Sequence, residues 1–172
     1  MARLRKFSAY RRLERPYTRT SKFRKKSFIR ASPRVNIVRF VMGDPTKRFQ
    51  YRLDLCSRDA LQIRHNAIES ARMTCNRLLE SKLGKKGYHL KIRIYPFHIL
   101  RENPLAAGAG ADRMSTGMKK SFGKPIGNAA RLKEGQVIFS LDVSKPDIKI
   151  GRLALKRASH TVSYTHLTLP TN

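Results

Sequence analysis

Between two alternating, strand-like runs, Tyr88–Arg101 and Gln136–Val143, lies a stretch that neither pattern continues: Gly108 to Arg131, reading GAGADRMSTGMKKSFGKPIGNAAR. It holds five glycines and several alanines, no tryptophan or tyrosine, and only scattered large apolar residues. Such a segment buries too little surface to offset the entropy of ordering it. A loop of this length within a folded domain is usually functional or disordered. Its charge is lopsided, with Arg113, Lys119, Lys120, Lys124 and Arg131 against Asp112 alone. Small residues let a partner come close to the backbone, and the cations suit a polyanion.

The polyanion is required by the chain as a whole. At 172 residues the expectation is one domain with tails. A net charge of +27 is far more than solubility needs, and it makes the compact state repel itself. Nucleic acid relieves that repulsion best, and an acidic membrane is second. No apolar run approaches the roughly 20 residues of a spanning helix, and the start of the chain lacks the apolar core of a signal peptide. Its Arg-rich, acid-poor character does mimic an organelle transit peptide, which is kept as the minor alternative. Cys56 and Cys75 form no CxxC and have no His pair at ligand spacing, so ordinary thiols in a reducing cytoplasm are expected, with no metal and no cofactor. The central stretch then reads as an arm held out by the domain and ordered by RNA.

A second such arm opens the chain. Residues 1–34 carry thirteen Lys or Arg against Glu14 alone. No helical or strand period organises their apolar residues; Phe7, Tyr10, Tyr17, Phe23 and Phe28 are interleaved with the cations instead. The bland alternative is a solvated tail. The interleaving favours an extended RNA-binding arm in which Arg3, Arg5, Lys6, Arg11, Arg12, Arg15, Arg19, Lys22, Arg24, Lys25 and Lys26 grip phosphates while the rings stack on bases.

The body follows over 35–160. Val35–Val41 and Phe49–Leu55 read as strands joined by a turn at Gly43-Asp44-Pro45. In the second, Phe49, Tyr51, Leu53 and Leu55 alternate with polar residues, which gives one wet face. Ser57 is placed to cap a helix carrying Leu61, Ile68, Ala71, Cys75, Leu78 and Leu79 down to Leu83 and Gly84, about seven turns in all. Tyr88, Leu90, Ile92 and Ile94 face one way along the next strand, and His89, Lys91, Arg93 and Tyr95 the other, with a bend or an edge at Pro96. An internal loop over 102–135 separates it from the strand of Val137, Phe139, Leu141 and Val143. Lys145-Pro146-Asp147 then opens a helix with Leu153, Leu155 and Ala158 and basic residues Lys149, Arg152, Lys156 and Arg157. The fold class is α+β: a mixed, mainly antiparallel sheet with two packed helices. Residues 161–172 change composition abruptly; Val162–Thr171 looks like the in-frame translation of a sequencing-library adapter, and 161–172 is set aside as a non-native tail.

Enzymatic motifs fail on inspection. A GxGxxG fingerprint starting at Gly108 would need glycine where Arg113 stands, and Gly123-Lys124 is followed by Pro125 rather than Ser or Thr. His89 and His98 lack an evident carboxylate or nucleophile partner, and the eleven Asp or Glu are dispersed. No catalytic residue and no small-molecule substrate are expected.

The run PFHILRENPLAAGAGADRMSTGMKKSFGKPIGNAARLKEGQVIFSL, with GYHLKIRIYPFHILR before it and the helix ESARMTCNRLLESKLGKKG, resembles the large-subunit ribosomal protein family numbered sixteen in the universal scheme, in its archaeal and eukaryotic "ten-e" form. The resemblance covers roughly 36–159. It implies a hammerhead-type α+β fold, bound to large-subunit ribosomal RNA in the cytoplasm, among neighbouring ribosomal proteins and beside the cleft that accepts tRNA. By position, it makes Gly108, Ala109, Gly110, Ala111, Asp112, Arg113, Met114, Ser115, Thr116, Gly117 and Met118 the loop tip toward the tRNA and peptidyl-transferase region, with Arg113 on a phosphate. It gives Lys119, Lys120, Lys124 and Arg131 the task of holding the loop's stem on RNA. A free, non-ribosomal nucleic-acid-binding protein is the alternative; no recognition helix or stacking sheet of known type supports it.

Overall fold

Alternation of apolar and polar residues builds the body, and it can be followed strand by strand in a computed structural model that describes residues 23, 25, 33–102, 124–162 and 167–168. Chain order is β1 (Val41–Gly43), β2 (Tyr51–Ser57), β3 (Leu61–Arg64), α1 (His65–Leu83), β4 (Tyr88–Ile92), β5 (His98–Glu102), β6 (Lys124–Leu132), β7 (Val137–Val143), a 3-10 turn at Lys145–Asp147, α2 (Ile148–Val162) and β8 (Leu167–Thr168). A five-stranded sheet runs β1-β4-β7-β2-β8 and a three-stranded sheet runs β3-β6-β5. Every pairing in both is antiparallel.

Register aligns the apolar sets. Tyr88, Leu90 and Ile92 of β4 lie opposite Val143, Leu141 and Phe139 of β7. Leu53 and Leu55 of β2 meet Leu141 and Phe139 from the other side. Helices α1 and α2 pack on each other and close this face. A Cβ built on Gly151 of α2 would lie 2.9 Å from Leu53 Cδ1, and the Tyr88 hydroxyl donates to Asn76 Oδ1 of α1 at 2.6 Å. Ile68, Ala71, Cys75, Leu79, Ala154, Leu155 and Ala158 complete the core. Each large side chain sealed there contributes about 1.5–3 kcal/mol relative to exposure. The α+β class and the two packed helices are as the alternation predicts; the strands divide between two sheets rather than sharing one.

Several boundaries differ from the sequence expectation, each for a physical reason. Strand β1 is only the end of the expected Val35–Val41 run, because the backbone before it is recruited elsewhere: the Asn36 N–H donates to His65 Nδ1 and the Val38 N–H to Glu69 Oε2, both at 3.3 Å. Ser57 caps no helix; its hydroxyl donates to the Asp59 carbonyl at 2.7 Å. Residues 61–64 pair with β6 instead, so α1 begins at His65 without a side-chain cap and makes about five turns rather than seven. Leu61, Gln62 and Ile63 are all buried, as a strand covered on both faces requires. The Tyr88–Arg101 run is split: β4 ends at Ile92, Pro96 lacks a ladder donor, and β5 joins the second sheet.

The largest difference concerns the central stretch. Its second part, Lys124–Leu132, is no loop but the middle strand of the three-stranded sheet, paired with β3 on one side and β5 on the other. Gly127, Asn128, Ala129 and Ala130 are buried there. Small side chains carry little strand propensity, but they let α1 sit close over the strand, and hydrogen bonds on both edges override propensity. Residues 103–123, with the expected loop tip, lie outside the described residues. Their two ends are Glu102 and Lys124, which face each other in register. The backbone of Leu167–Thr168, within the stretch set aside as a tail, pairs with Cys56 and Ser57.

Candidate nucleic-acid interface

Of the cations expected to meet RNA, the structure describes three. Lys25 is exposed; the other arm cations, together with Lys119 and Lys120, lie outside the described residues. Lys124 is exposed at the start of β6, while Arg131 is half-buried near its end, opposite Gln62. Seven residues of strand put them about 23 Å apart, so they do not share one patch. Among the described residues Arg131 Nη1 is buried and makes no hydrogen bond.

The outer face of the five-stranded sheet supplies cations the sequence did not single out as a site. Register places Gly43, His89, Asp142 and Arg52 in one row across β1, β4, β7 and β2. Arg52 Nε donates to Asp142 Oδ1 at 2.7 Å, and His89 Nδ1 stands 3.1 Å from Asp142 Oδ2. Burial pushes the Asp142 carboxyl up, but the hydrogen bonds from Arg52 and His89 outweigh it and hold the group below its ordinary 3.8. Along β4 and its extension, Lys91, Arg93, Tyr95 and Phe97 are all exposed while Ile92, Ile94 and Pro96 are buried. The alternation seen at Tyr88–Ile94 therefore carries on past the end of the ladder. Phe40 stacks on Tyr95 with centroids 5.6 Å apart, and Tyr95 meets Phe97 at 4.6 Å.

Helix α2 adds a second cationic face. Lys149, Arg152, Lys156 and His160 are exposed at helical spacing, and the helix contains no acid. Its other side, Gly151, Ala154, Leu155 and Ala158, is sealed against the core, whereas Leu153 stays exposed. A third group stands where α1 ends: Lys82, Lys85 and Lys86 are exposed, Lys86 close enough to Asp44 to help lower its carboxyl, which Thr46 mainly stabilises. The signal for the α2 face was present in the sequence as basic positions three and four apart. The aromatic ladder left no such signal, since Phe40 and Tyr95 are brought together only by the fold.

Among the described residues no three His, Cys, Asp or Glu stand close enough to hold a metal ion. Burial pushes the Cys75 thiol up to about 12, which leaves it protonated and unreactive at neutral pH. The carboxylate beside His89 is already engaged by Arg52. No helix among the described residues is long and apolar enough to cross a membrane.

Fold and surface together define an α+β protein with cationic faces set around one apolar core, suited to a polyanion. The family described as ribosomal protein L16p/L10e matches residues 16–166. The large ribosomal subunit protein uL16 of Archaeoglobus fulgidus is 45% identical over 150 residues, covering 87% of this chain and 83% of that protein. That of Methanococcus maripaludis is 45% identical over 157 residues, covering 91% and 87%. That of Methanospirillum hungatei is 43% identical over 164 residues, covering 94% and 93%. The chain belongs to the ribosomal protein L16p/L10e family, and its relatives are of archaeal type.

Proposed function

We propose that this chain is a structural constituent of the large ribosomal subunit, cytoplasmic and ribosome-bound, which binds the subunit's RNA, touches neighbouring ribosomal proteins and catalyses nothing itself. The observation that carries this is the family match across 16–166, with relatives named as large-subunit proteins covered over most of their length. The excess of cations supports it, because ribosomal RNA neutralises the net charge of +27 that the chain carries in its arm and body together.

The finer reading concerns the two extensions. Residues 1–34 lie along folded RNA as a basic arm whose cations position it without reading sequence. The segment 103–123 is flanked by Glu102 and Lys124, which pair between β5 and β6, and this pairing supports reading it as an excursion from the domain. Its tip, Gly108–Met118, reaches toward the tRNA-accepting cleft and the peptidyl-transferase region with Arg113 on a phosphate, while Lys119, Lys120 and Lys124 keep the base of the excursion on RNA and Arg131, near the far end of β6, meets RNA apart from them.

Gradient sedimentation tests the first statement. The tagged chain is expected to travel with the large subunit through moderate salt; a chain that stays at the top of a low-salt gradient is not a subunit component. Arg113→Ala tests the second. It is expected to enter subunits normally and to slow tRNA movement, and a variant that simply fails to assemble refutes the tip assignment.

A further inference from the structure

We infer that Phe40, Tyr95 and Phe97 form a stacking platform for one unpaired base of RNA, with Arg93 placed for an adjoining phosphate. The inference rests on the RNA-binding reading above and specifies a site for it on the folded body.

Three aromatic rings in series at a surface are the first observation. Phe40 and Tyr95 are nearly parallel, 21° between planes, and Tyr95 and Phe97 are tilted at 49°. Phe97 ends the ladder with 70% of its surface exposed, and Tyr95 is 45% exposed. Burying rings of this size is worth a great deal to a folding chain, yet here they are held out. They are also held still: Pro96 between them is buried, and the Phe97 N–H donates to the Tyr95 carbonyl at 3.0 Å. A fixed ring loses little freedom when a partner arrives.

Charge decides the partner. The rings border an open groove of about 330 Å³, and its other walls include Arg93, Arg131 and Gln136 but no carboxylate. Arg93 is exposed, and Arg131 lines the groove half-buried, with its Nη1 sealed from solvent. An apolar protein partner would leave the exposed Arg93 guanidinium unanswered. A nucleotide presents a flat π-face and a phosphate together, and only an unpaired base exposes its face in this way. The groove therefore takes a base from a loop or bulge of the RNA and not a duplex.

The test uses large subunits assembled with the full chain, read by 2′-hydroxyl acylation of the ribosomal RNA and by protein cross-linking. Phe97 is exposed, so Phe97→Leu keeps the fold while removing the ring. Subunits carrying it are expected to form normally and to show one unpaired nucleotide whose acylation rises several-fold; Phe97→Trp restores its protection. In isolation, losing one base stack costs about 5–150-fold in affinity for an RNA bulge. If Phe97→Leu and Tyr95→Leu enter subunits with the acylation pattern unchanged, the platform is refuted and the ribosomal reading stands. Cross-links from this groove to a protein neighbour, with no nucleotide affected, refute it in favour of a protein contact. Failure of the unaltered chain to enter subunits overturns the RNA-binding reading and the platform with it.

Discussion

At Gly43 the backbone sits at φ +82°, and a Cβ built there would lie 2.0 Å from the carbonyl oxygen of Tyr88. That oxygen is fixed, because it accepts a hydrogen bond from the Asp44 N–H at 2.9 Å. Neither the left-handed conformation nor the contact can be relieved by a rotamer change. Gly151 differs: its added Cβ would meet the side-chain ends of Leu53 and Leu141, at 2.9 and 3.1 Å, which can shift. Alanine there also regains about 1 kcal/mol of helix propensity. Gly43→Ala is accordingly expected to destabilise the protein by at least about 2 kcal/mol. Gly151→Ala is expected to change stability by under about 1.5 kcal/mol in either direction. Urea unfolding of the two variants checks this, and equal midpoints would refute the distinction. The turn at Gly43-Asp44-Pro45 was legible in the sequence, but the carbonyl that makes its glycine obligatory belongs to Tyr88, on a strand far along the chain.

Elements are tied to one another by a few buried polar groups. Glu69 of α1 accepts from Arg72 Nη2 at 2.6 Å and from the Val38 N–H at 3.3 Å, and both Glu69 and Arg72 side chains are only 12% exposed. The Arg72 hydrogen bond holds the Glu69 carboxyl below its ordinary range in spite of burial. Arg72 Nη1 in turn contacts Met42 Sδ at 3.4 Å, so this pair fastens both β1 and the extended segment before it to the helix. Glu69→Ala leaves a half-buried guanidinium and a backbone donor without their acceptor, and should cost about 1.5–3 kcal/mol. Amide exchange gives the specific readout: protection of Val38 should fall further than that of the β4–β7 ladder. Uniform loss across the body would mean that Glu69 serves the fold generally and not this junction. Strands β4 and β7 and the body of α1 follow from alternation and helical spacing, which neighbouring residues set. The start of α1 does not, because Leu61–Arg64 fits a helix period as well as a strand until β6 arrives to pair with it.

Across the whole molecule, charge is the governing quantity, and the described body carries it on separate faces. Lys149 and Lys156 of α2 are exposed, so removing both should spare the fold. Lys149→Ala with Lys156→Ala is expected to weaken RNA binding evenly across sequences and to lower the slope of log affinity against log salt by about 2. Filter binding over a salt series measures the slope; an unchanged slope would take α2 out of the RNA surface. The chain's cationic character, its alternating strands, its two helices and its family membership were determined by sequence alone, since each is a property of residue identity or of near neighbours. Tertiary structure alone decided that Lys124–Leu132 is a central strand, that Phe40 meets Tyr95, and that Lys124 and Arg131 stand near opposite ends of one strand. Those outcomes depend on hydrogen bonds and packing between distant segments, and a run of small residues or a lone aromatic carries no local mark of the partner that will complete it.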